Sequence, residues 1–445
     1  MLSRQQAERY GLAQRDHLGR SALAELAPRR FDPMDVLRAA CRGHVAKLLP
    51  VKFERMSASP FAFFRGSVEI MAADLGASKR TRIETQLCGD AHVKNFGFYA
   101  TPGSDIVPDI TDFDETTRGP WEWDVKRMTA SIVLAGRVAG DSESGCKEAA
   151  RIFLRAYCAW VHRFAEMPTL DVARHKTTRD TRDPVIRGAL KQAERSTPLS
   201  NLQKLTRRAG KQSYRLIVKP NLIWEVTGAE RQAVLHALRA YRKTLSPDRQ
   251  LLFDRYQPAD VGFKVVGTGS VGTRDYVVLL FGRDERDPLF LQVKEEQPSA
   301  YAPYYKDSAA PRHQGQRVVE GQRALQVLSD LLLGWCSIAG RDYLVRQLSD
   351  HKSSIEPEDL GGKRLAEYSN VCAELLAKGH ARSTEPAALA SYLGRPGKAE
   401  RALLQFALKY AGQVESDYQT FRKALKHGFL KSVVKTLQPG TRRRS

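Results

Sequence analysis

The chain has 445 residues, 42% of them hydrophobic, which is enough apolar sequence for a substantial core and for two or three domains or two lobes. Its formal net charge is +21, but the basic residues are interspersed with 50 acidic ones. This pattern favours a solvated basic surface, so we expect nucleic acid to bind only weakly and non-specifically. The six cysteines form no Cys-x-x-Cys pair, and no run of about 18 apolar residues occurs. We therefore expect a cytoplasmic protein with no membrane partner.

Residues 1–58 are predicted to form a helical extension, and Asp35 to Leu49 carries apolar residues at helical spacing. The next segment, Ser59 to Gly66, contains three phenylalanines, and we expect Pro60 to break any helix there. Arg65 has two interpretations. It is either a surface residue beside a hydrophobic plug or a ligand for a phosphate group.

The densest group of polar residues lies between Leu87 and Arg127. Asp90 is followed five residues later by Asn95 and further on by Asp112, with Asp114 close behind. Phosphoryl transfer requires a carboxylate that takes the proton from the attacking hydroxyl, together with oxygen ligands for magnesium. The spacing predicts one active site in which Asp90 is the base, Asn95 and Asp112 bind the metal, and Asp114 adds a metal contact.

The segments Gly89 to Asn95 and Ile110 to Asp114 resemble the catalytic loop and metal loop of aminoglycoside phosphotransferases and other kinase-like proteins. By this resemblance Asp124, which follows the Gly119-Pro120 pair, braces the catalytic loop. The resemblance also makes His92 a structural residue that holds the loop by hydrogen bonds.

A second resemblance covers most of the chain. Through Ser59 to Gly66, Gly89 to His92 and Gly267 to Gly272, the sequence resembles a bacterial family catalogued only as a domain of unknown function (number twenty-two fifty-two). That family supplies no established activity, so the mechanism has to be argued from the residues.

The sequence changes character at Val261, where a strand-like run leads into a glycine-rich segment and then into the β-branched, apolar run Tyr276 to Phe281. A Rossmann loop requires a helix after the glycines, whereas strand, glycine loop and strand is the arrangement of kinases. The residues predicted to cover the nucleotide phosphates are Gly267, Gly269, Ser270 and Gly272.

A third strand is predicted from Leu289 to Lys294, which places Lys294 where a kinase-type phosphate-binding lysine is needed. The alternative is an ordinary lysine at a strand end in water. A helix begins at Gly315, and its Glu320 is predicted to pair with Lys294. Tyr343 to Leu348 forms a further strand.

The order of these parts is reversed relative to an ordinary kinase, because the glycine loop follows Asp90 instead of preceding it. Either the glycine loop is unrelated or the chain is circularly permuted. Permutation is supported by Leu375 to Ala381, which resembles the end of the helix that normally leads into the catalytic loop. Two further helices are predicted at about 399–411 and 414–426.

These observations predict an α+β, protein-kinase-like two-lobed fold that is circularly permuted and carries extra helices. Residues 1–58 are the N-terminal extension, 59–260 the catalytic part of the large lobe, 261–350 the nucleotide-binding small lobe, and 351–445 the C-terminal helical part of the large lobe.

The predicted function is ATP- and magnesium-dependent phosphoryl transfer to an unidentified hydroxyl-bearing acceptor, either a small molecule or a protein. AMP transfer from the same fold is one alternative. A non-enzymatic, basic nucleic-acid-binding protein is the other.

Overall fold

The computed structural model describes residues 3–101, 105–177, 184–210, 214–220, 222–265, 271–348 and 353–437. Helices and antiparallel sheets alternate along the chain, so the fold belongs to the α+β class that the sequence predicts. Within these ranges, no helix has both the length and the apolar character needed to cross a membrane.

The helices of the described residues fall into two kinds. The α-helices are α1 (Arg4–His17), α2 (Pro33–Ala40), α3 (Leu49–Met56), α4 (Pro60–Gly66), α5 (Val68–Ala77), α6 (Glu122–Val138), α7 (Glu143–Glu166), α8 (Thr169–Arg174), α9 (Pro184–Arg195), α10 (Pro198–Leu205), α11 (Gly228–Arg242), α12 (Pro247–Phe253), α13 (Gln314–Leu325), α14 (Lys363–Ser383), α15 (Pro386–Leu393), α16 (Lys398–Lys426) and α17 (Phe429–Leu437). Short 3-10 helices occupy Arg20–Ala24, Ala46–Leu48, Val93–Asn95 and Pro357–Asp359.

The strands form four antiparallel sheets. They are β1 (Glu84–Leu87), β2 (Phe96–Ala100), β3 (Ile106–Ile110), β4 (Thr117–Pro120), β5 (Thr206–Arg208), β6 (Tyr214–Leu216), β7 (Ile223–Glu225), β8 (Gln257–Lys264), β9 (Asp275–Phe281), β10 (Pro288–Glu295), β11 (Gly334–Ile338), β12 (Arg341–Gln347) and β13 (Ser353–Ser354). The largest sheet has the order β11-β12-β10-β9-β8-β7, and the smaller ones are β1-β4, β13-β2-β3 and β5-β6.

The prediction that Pro60 breaks any helix is wrong, because Pro60 begins α4. The Ser59 hydroxyl caps this helix by accepting a hydrogen bond from the Ala62 amide at 3.0 Å. Proline is tolerated at the first helical position, since the amide that it lacks has no partner within the helix there.

The two helices predicted near the C-terminus are one continuous helix, α16. Gly412 lies in its middle, and a glycine inside a helix costs about 1 kcal/mol relative to alanine. Buried Tyr410 and Tyr418 anchor the helix on either side of this glycine. Tertiary packing therefore keeps the helix continuous at Gly412, a position where the sequence by itself favours a break.

Helix α6 lies at the centre of the larger hydrophobic core, and its residues from Glu122 to Gly136 are all buried. It packs against α4, α7, α14 and α16. Because neighbouring elements surround the helix, its polar residues have fixed positions in the interior. Two of these residues, Asp124 and Arg127, belong to the candidate site.

Both faces of the six-stranded sheet carry buried apolar residues. One face packs against α11 in a second core cluster. The other face has a smaller apolar cluster against α10, and beside it Lys294 lies opposite Asp275, and Gln292 lies opposite Arg346. Side chains alternate between faces along a strand, so this register places Lys294 among polar residues on the face away from α11.

The end of α14 meets the start of β1, although the two are far apart in sequence. The Ser383 hydroxyl lies 2.7 Å from that of Thr85 and accepts a hydrogen bond from the Gln86 amide at 3.1 Å. Earlier in α14, the Lys378 ammonium lies 2.6 Å from a carboxylate oxygen of Asp109, and the two side chains are 1% and 3% exposed. These contacts fix α14 against the β1 and β2-β3 segments.

We expect Lys378→Met to lower the free energy of unfolding by about 3–5 kcal/mol, because it leaves the Asp109 carboxylate buried without its cation. The measurement is urea denaturation followed by circular dichroism. Glu148→Gln is the matched control, since it removes the exposed Arg151–Glu148 pair and should leave the midpoint unchanged. A wild-type midpoint for Lys378→Met would show that this pair contributes nothing to stability.

Candidate functional site

Asp90 lies in the turn that follows β1, and α6 holds this turn in place. The Asp124 carboxylate accepts hydrogen bonds from the backbone amides of Cys88, at 2.7 Å, and Gly89, at 3.0 Å. Gly89 has a φ of 84°, and a Cβ there would lie 2.1 Å from the backbone oxygen of Glu115, so the turn requires glycine. Asp124 therefore braces this turn, the role that the kinase resemblance implied.

The Asp90 carboxylate is held by two neighbouring side chains. The Arg127 guanidinium contacts Oδ1 through Nη2 at 2.5 Å and Nε at 2.6 Å, and the His92 Nε2 lies 3.4 Å from Oδ2. Burial alone would raise the pKa of Asp90, but Arg127 and His92 outweigh burial and hold that pKa well below its usual range. Asp90 is therefore a carboxylate of fixed orientation at neutral pH.

Asn95 connects the Asp90 turn to the segment that carries Asp112. Its side-chain Nδ2 donates to the Asp90 backbone oxygen at 3.0 Å. Its own backbone oxygen accepts from the Thr111 amide at 2.8 Å and from the Thr111 hydroxyl at 3.2 Å. The structure thus brings together Asp90, Asn95 and Asp112 as the sequence predicts.

Lys294 reaches this site from the six-stranded sheet. Its buried ammonium contacts the carboxylate of Asp114, which is 180 residues away in sequence. Burial acts to lower the pKa of Lys294, but the carboxylates of Asp114 and Asp112 outweigh it and raise that pKa. Lys294 is therefore a buried, charged lysine beside Asp112 and Asp114 and not a strand end in water.

The predicted pairing of Lys294 with Glu320 is wrong. Glu320 is exposed on α13 and accepts a hydrogen bond from Gln316 on the same helix. The inward-facing residue of α13 is Arg317, which donates to the backbone oxygen of Asp114 at 2.9 Å. The rotation of α13 thus turns Glu320 towards solvent, and Asp114 takes its place at Lys294. The metal contact predicted for Asp114 stays a prediction beside this ion pair.

The glycine-rich segment is described only at its C-terminal end, since Gly267, Gly269 and Ser270 lie outside the described residues. Gly272 has a φ of 123°, and its backbone oxygen accepts a hydrogen bond from the Val45 amide at 2.7 Å. The next residue, Thr273, lines the cavity that contains Asp90.

Two cavities meet at Arg65 and Asp112, which line both. The first has a volume of about 400 Å³, and the second has a volume of about 710 Å³. Residues lining the first include Lys52, Glu69, Asp90, Asp114, Thr273 and Glu296. Residues lining the second include Lys94, Asn95, Thr111, Gly188, Ile355 and Glu356.

The position of Arg65 favours one of its two interpretations. The side chain lies between the cavities, and its buried Nε has no hydrogen-bond partner among the residues that the structure describes. An anion bound where the cavities meet lies within reach of this guanidinium. Arg65 is therefore not an ordinary solvated surface residue, and its role as a phosphate ligand stays a prediction.

Sequence reasoning missed Arg127, Lys52 and Glu296. Arg127 follows Asp124 by three residues, so helical spacing places both on one side of α6, and this signal could have identified it. Lys52 lies in the N-terminal extension and Glu296 lies two residues beyond Lys294. Neither has a local pattern that distinguishes it from a surface charge.

The residues fit a magnesium ion that is held partly by phosphate groups. Among the described ranges, no three His, Cys, Asp or Glu side chains converge as a metal site. Magnesium in nucleotide enzymes binds one or two carboxylates together with phosphates and water. Asp112, where the cavities meet, and the side-chain oxygen of Asn95 are suitable donors for such an ion.

We expect Asp124→Ala to loosen the Asp90 turn, because two buried backbone amides lose their acceptor. Hydrogen exchange monitored by mass spectrometry should become at least tenfold faster in peptides covering residues 88–92. The control is Asp171→Ala, which removes an exposed carboxylate of α8 and should leave exchange in these peptides unchanged. Unchanged protection in Asp124→Ala would remove Asp124 from this role.

Comparison with known proteins identifies one family and no individual relative. Residues 42–424 match the model of a family described as an uncharacterized protein conserved in bacteria. The chain matches no curated protein and no solved structure. The matched segment begins after α2 and includes the Asp90 turn, Asp112, Lys294 and α14. The chain therefore belongs to this uncharacterised bacterial family, DUF2252.

Proposed function

We propose that the protein is an ATP- and magnesium-dependent phosphotransferase, with a kinase-like two-lobed fold in permuted order. The contact between Lys294 and Asp114 carries the proposal. It joins the lysine of the six-stranded sheet to the cavity lined by Asp90 and Asp112. Phosphoryl transfer needs a cation for the phosphates, oxygen ligands for magnesium and a carboxylate at the attacking hydroxyl. The contact places the cation, Lys294, beside the cavity that contains the candidate magnesium ligand Asp112 and the candidate base Asp90.

The connectivity of the sheet supports a kinase-like small lobe. In kinases a glycine-rich loop joins two strands, the phosphate-binding lysine lies on the third strand, and a helix follows. Here the glycine-rich segment lies between β8 and β9, Lys294 lies on β10, and α13 follows. Strands β11 and β12 then complete the sheet on the other side of β10.

The contact between α14 and β1 supports the permuted order. In the unpermuted arrangement, the helix with the Leu-Ala-x-x-His end leads directly into the catalytic loop. Here Ser383, at the end of α14, contacts Thr85 in β1 without a chain connection. His380 lies 3.4 Å from the Asp124 carboxylate that braces the turn. The two ends that a kinase joins covalently are therefore neighbours in space.

The proposed reaction uses the residues in distinct roles. The acceptor oxygen forms a bond to the γ-phosphorus of ATP, the bond from that phosphorus to the oxygen of ADP breaks, and the hydroxyl proton passes to Asp90. Arg127 keeps the Asp90 carboxylate oriented, while Lys294 and Arg65 provide positive charge for the phosphates. Asp112 and Asn95 hold magnesium, which neutralises charge on the phosphates when bound.

The direct test incubates the protein with magnesium and ATP labelled separately at the α and γ positions. Transfer of the γ label to an acceptor is the expected result. Transfer of the α label instead would replace this proposal with AMP transfer. Transfer of neither label to water, protein or small-molecule acceptors would contradict both.

We expect Asp90→Asn to reduce transfer by about 10²–10⁴-fold, because the amide cannot take the proton of the acceptor. Binding of ATP should stay close to wild type, since this side chain acts on the acceptor. The measurements are single-turnover transfer and equilibrium nucleotide binding. Wild-type turnover in the variant would exclude Asp90 as the base.

We expect Lys294→Met to reduce kcat/KM for ATP at least tenfold, because the phosphates lose their fixed cation. Glu320→Gln is the matched control and should retain wild-type kinetics, since Glu320 is exposed and bonded within its own helix. Steady-state kinetics at varied ATP concentration measure both variants. A loss of similar size in Glu320→Gln would show that Glu320 and Lys294 act together during turnover.

A further inference from the structure

The first cavity has the size and enclosure of a small-molecule site. Its volume of about 400 Å³ falls within the range of about 300–1,000 Å³ that is usual for ligand pockets. Its walls include apolar residues of α2 and α5, such as Ala40 and Val68, and Tyr304 from the segment after β10. Asp90 lines the same cavity, so a hydroxyl that transfers its proton to Asp90 lies here.

Unpartnered polar atoms concentrate in this cavity. His44 Nδ1, Glu69 Oε2 and Glu296 Oε1 are buried, and none of these atoms has a hydrogen-bond partner among the described residues. Buried polar atoms in folded proteins almost always have partners. A polar ligand in the cavity supplies the missing hydrogen bonds.

Lys52 is a separate signal in the same cavity. Its side chain lines the cavity and is only 2% exposed, yet it makes no hydrogen bond or ion pair with any residue that the structure describes. A buried side chain whose ammonium has no counter-charge within ion-pair distance is costly, so the site is complementary to an anionic group. Glu69 and Glu296 line the same cavity, but neither forms an ion pair with Lys52.

Glu69 provides a negative charge in the same cavity. Its carboxylate has an oxygen without a partner among the described residues. An ionised carboxylate only accepts hydrogen bonds, so Glu69 selects a donor group on the ligand. Glu296 also lines the cavity, but burial and the nearby Asp114 raise its pKa well above the usual value and favour its neutral form. The cavity therefore offers one buried cation and one carboxylate.

We infer that this cavity is the acceptor pocket, and that the acceptor is a small zwitterionic hydroxyl compound whose anionic group pairs with Lys52 and whose ammonium pairs with Glu69. The inference rests on the proposed function, because the cavity is an acceptor pocket only if Asp90 acts in transfer. The cavity volume of about 400 Å³ suits a small molecule as the acceptor.

The test compares three probes that differ by one charged group. They are L-homoserine, 3-aminopropan-1-ol, which lacks the carboxylate, and 4-hydroxybutyrate, which lacks the ammonium. Binding to the full chain is measured by calorimetry with magnesium and without nucleotide. Wild type should bind L-homoserine at least tenfold more tightly than either truncated compound, since each truncated compound loses one charge-assisted hydrogen bond.

Variants that each remove one charge assign the contacts of the anionic group and of the ammonium. Lys52→Met should remove the preference for L-homoserine over 3-aminopropan-1-ol, and Glu69→Gln should remove the preference over 4-hydroxybutyrate. Lys47→Met is the matched control, because Lys47 is exposed and outside the cavity, and it should bind all three probes as wild type does. If Lys52→Met does not fold, Ala39→Leu narrows the cavity from an exposed position of α2 and should weaken binding of L-homoserine at least tenfold.

Equal wild-type affinity for the three probes would overturn the inference, as would an unchanged preference in Lys52→Met. A parallel measurement of magnesium-ATP binding and γ-phosphoryl transfer separates this result from the proposed function. ATP turnover without charge-dependent probe binding overturns the acceptor assignment alone. Charge-dependent binding in a protein that transfers no phosphoryl group supports the pocket's charge selectivity and contradicts the phosphotransferase proposal.

Discussion

The buried guanidinium of Arg127 is the interaction on which the site depends. It is fully enclosed, contacts the Asp90 carboxylate, donates to the backbone oxygen of Phe64 at 3.0 Å, and lies 4.1 Å from the centre of the Phe64 ring. A charge removed from water in this way must be paired and hydrogen-bonded. These contacts join α4, α6 and the Asp90 turn. If one of the three moved independently, Arg127 or Asp90 would be exposed to water or would lose its partner.

The long-range contacts show how packing replaces chain connectivity. Lys294 and Asp114 are separated by 180 residues, and Ser383 and Thr85 by 298, yet each pair is in contact. The permuted order that we propose needs only that the ends joined in the parent arrangement stay close in space. Hydrogen bonds at Ser383 hold the end of α14 against β1, and His380 lies beside the Asp124 carboxylate that braces the Asp90 turn.

The N-terminal helices are more than a packing extension. The Val45 amide donates a hydrogen bond to the backbone oxygen of Gly272. Lys52 and residues of α2 form part of the wall of the first cavity. Segments from opposite parts of the chain therefore enclose the side of Asp90 where an acceptor is expected. A ligand that fills this cavity displaces water from it, which strengthens the electrostatic interactions of that ligand.

The sequence by itself determined the features that depend on local pattern. Apolar periodicity located α6, apolar runs located β9, β10 and β12, and the short spacing from Asp90 to Asn95 predicted that both residues belong to one site. The sequence also predicted the order of strand, glycine-rich segment, strand and lysine, because each of these parts is a contiguous stretch of the chain.

Only the tertiary structure decided which side chains face one another. Helical spacing did not show that α13 turns Glu320 to solvent and Arg317 inward, so the partner of Lys294 was assigned incorrectly. Lys52 resembles a surface lysine in sequence because its burial comes from elements distant along the chain. Local pattern determines helices and strands, whereas the rotation and burial of each element depend on the packing of the whole core.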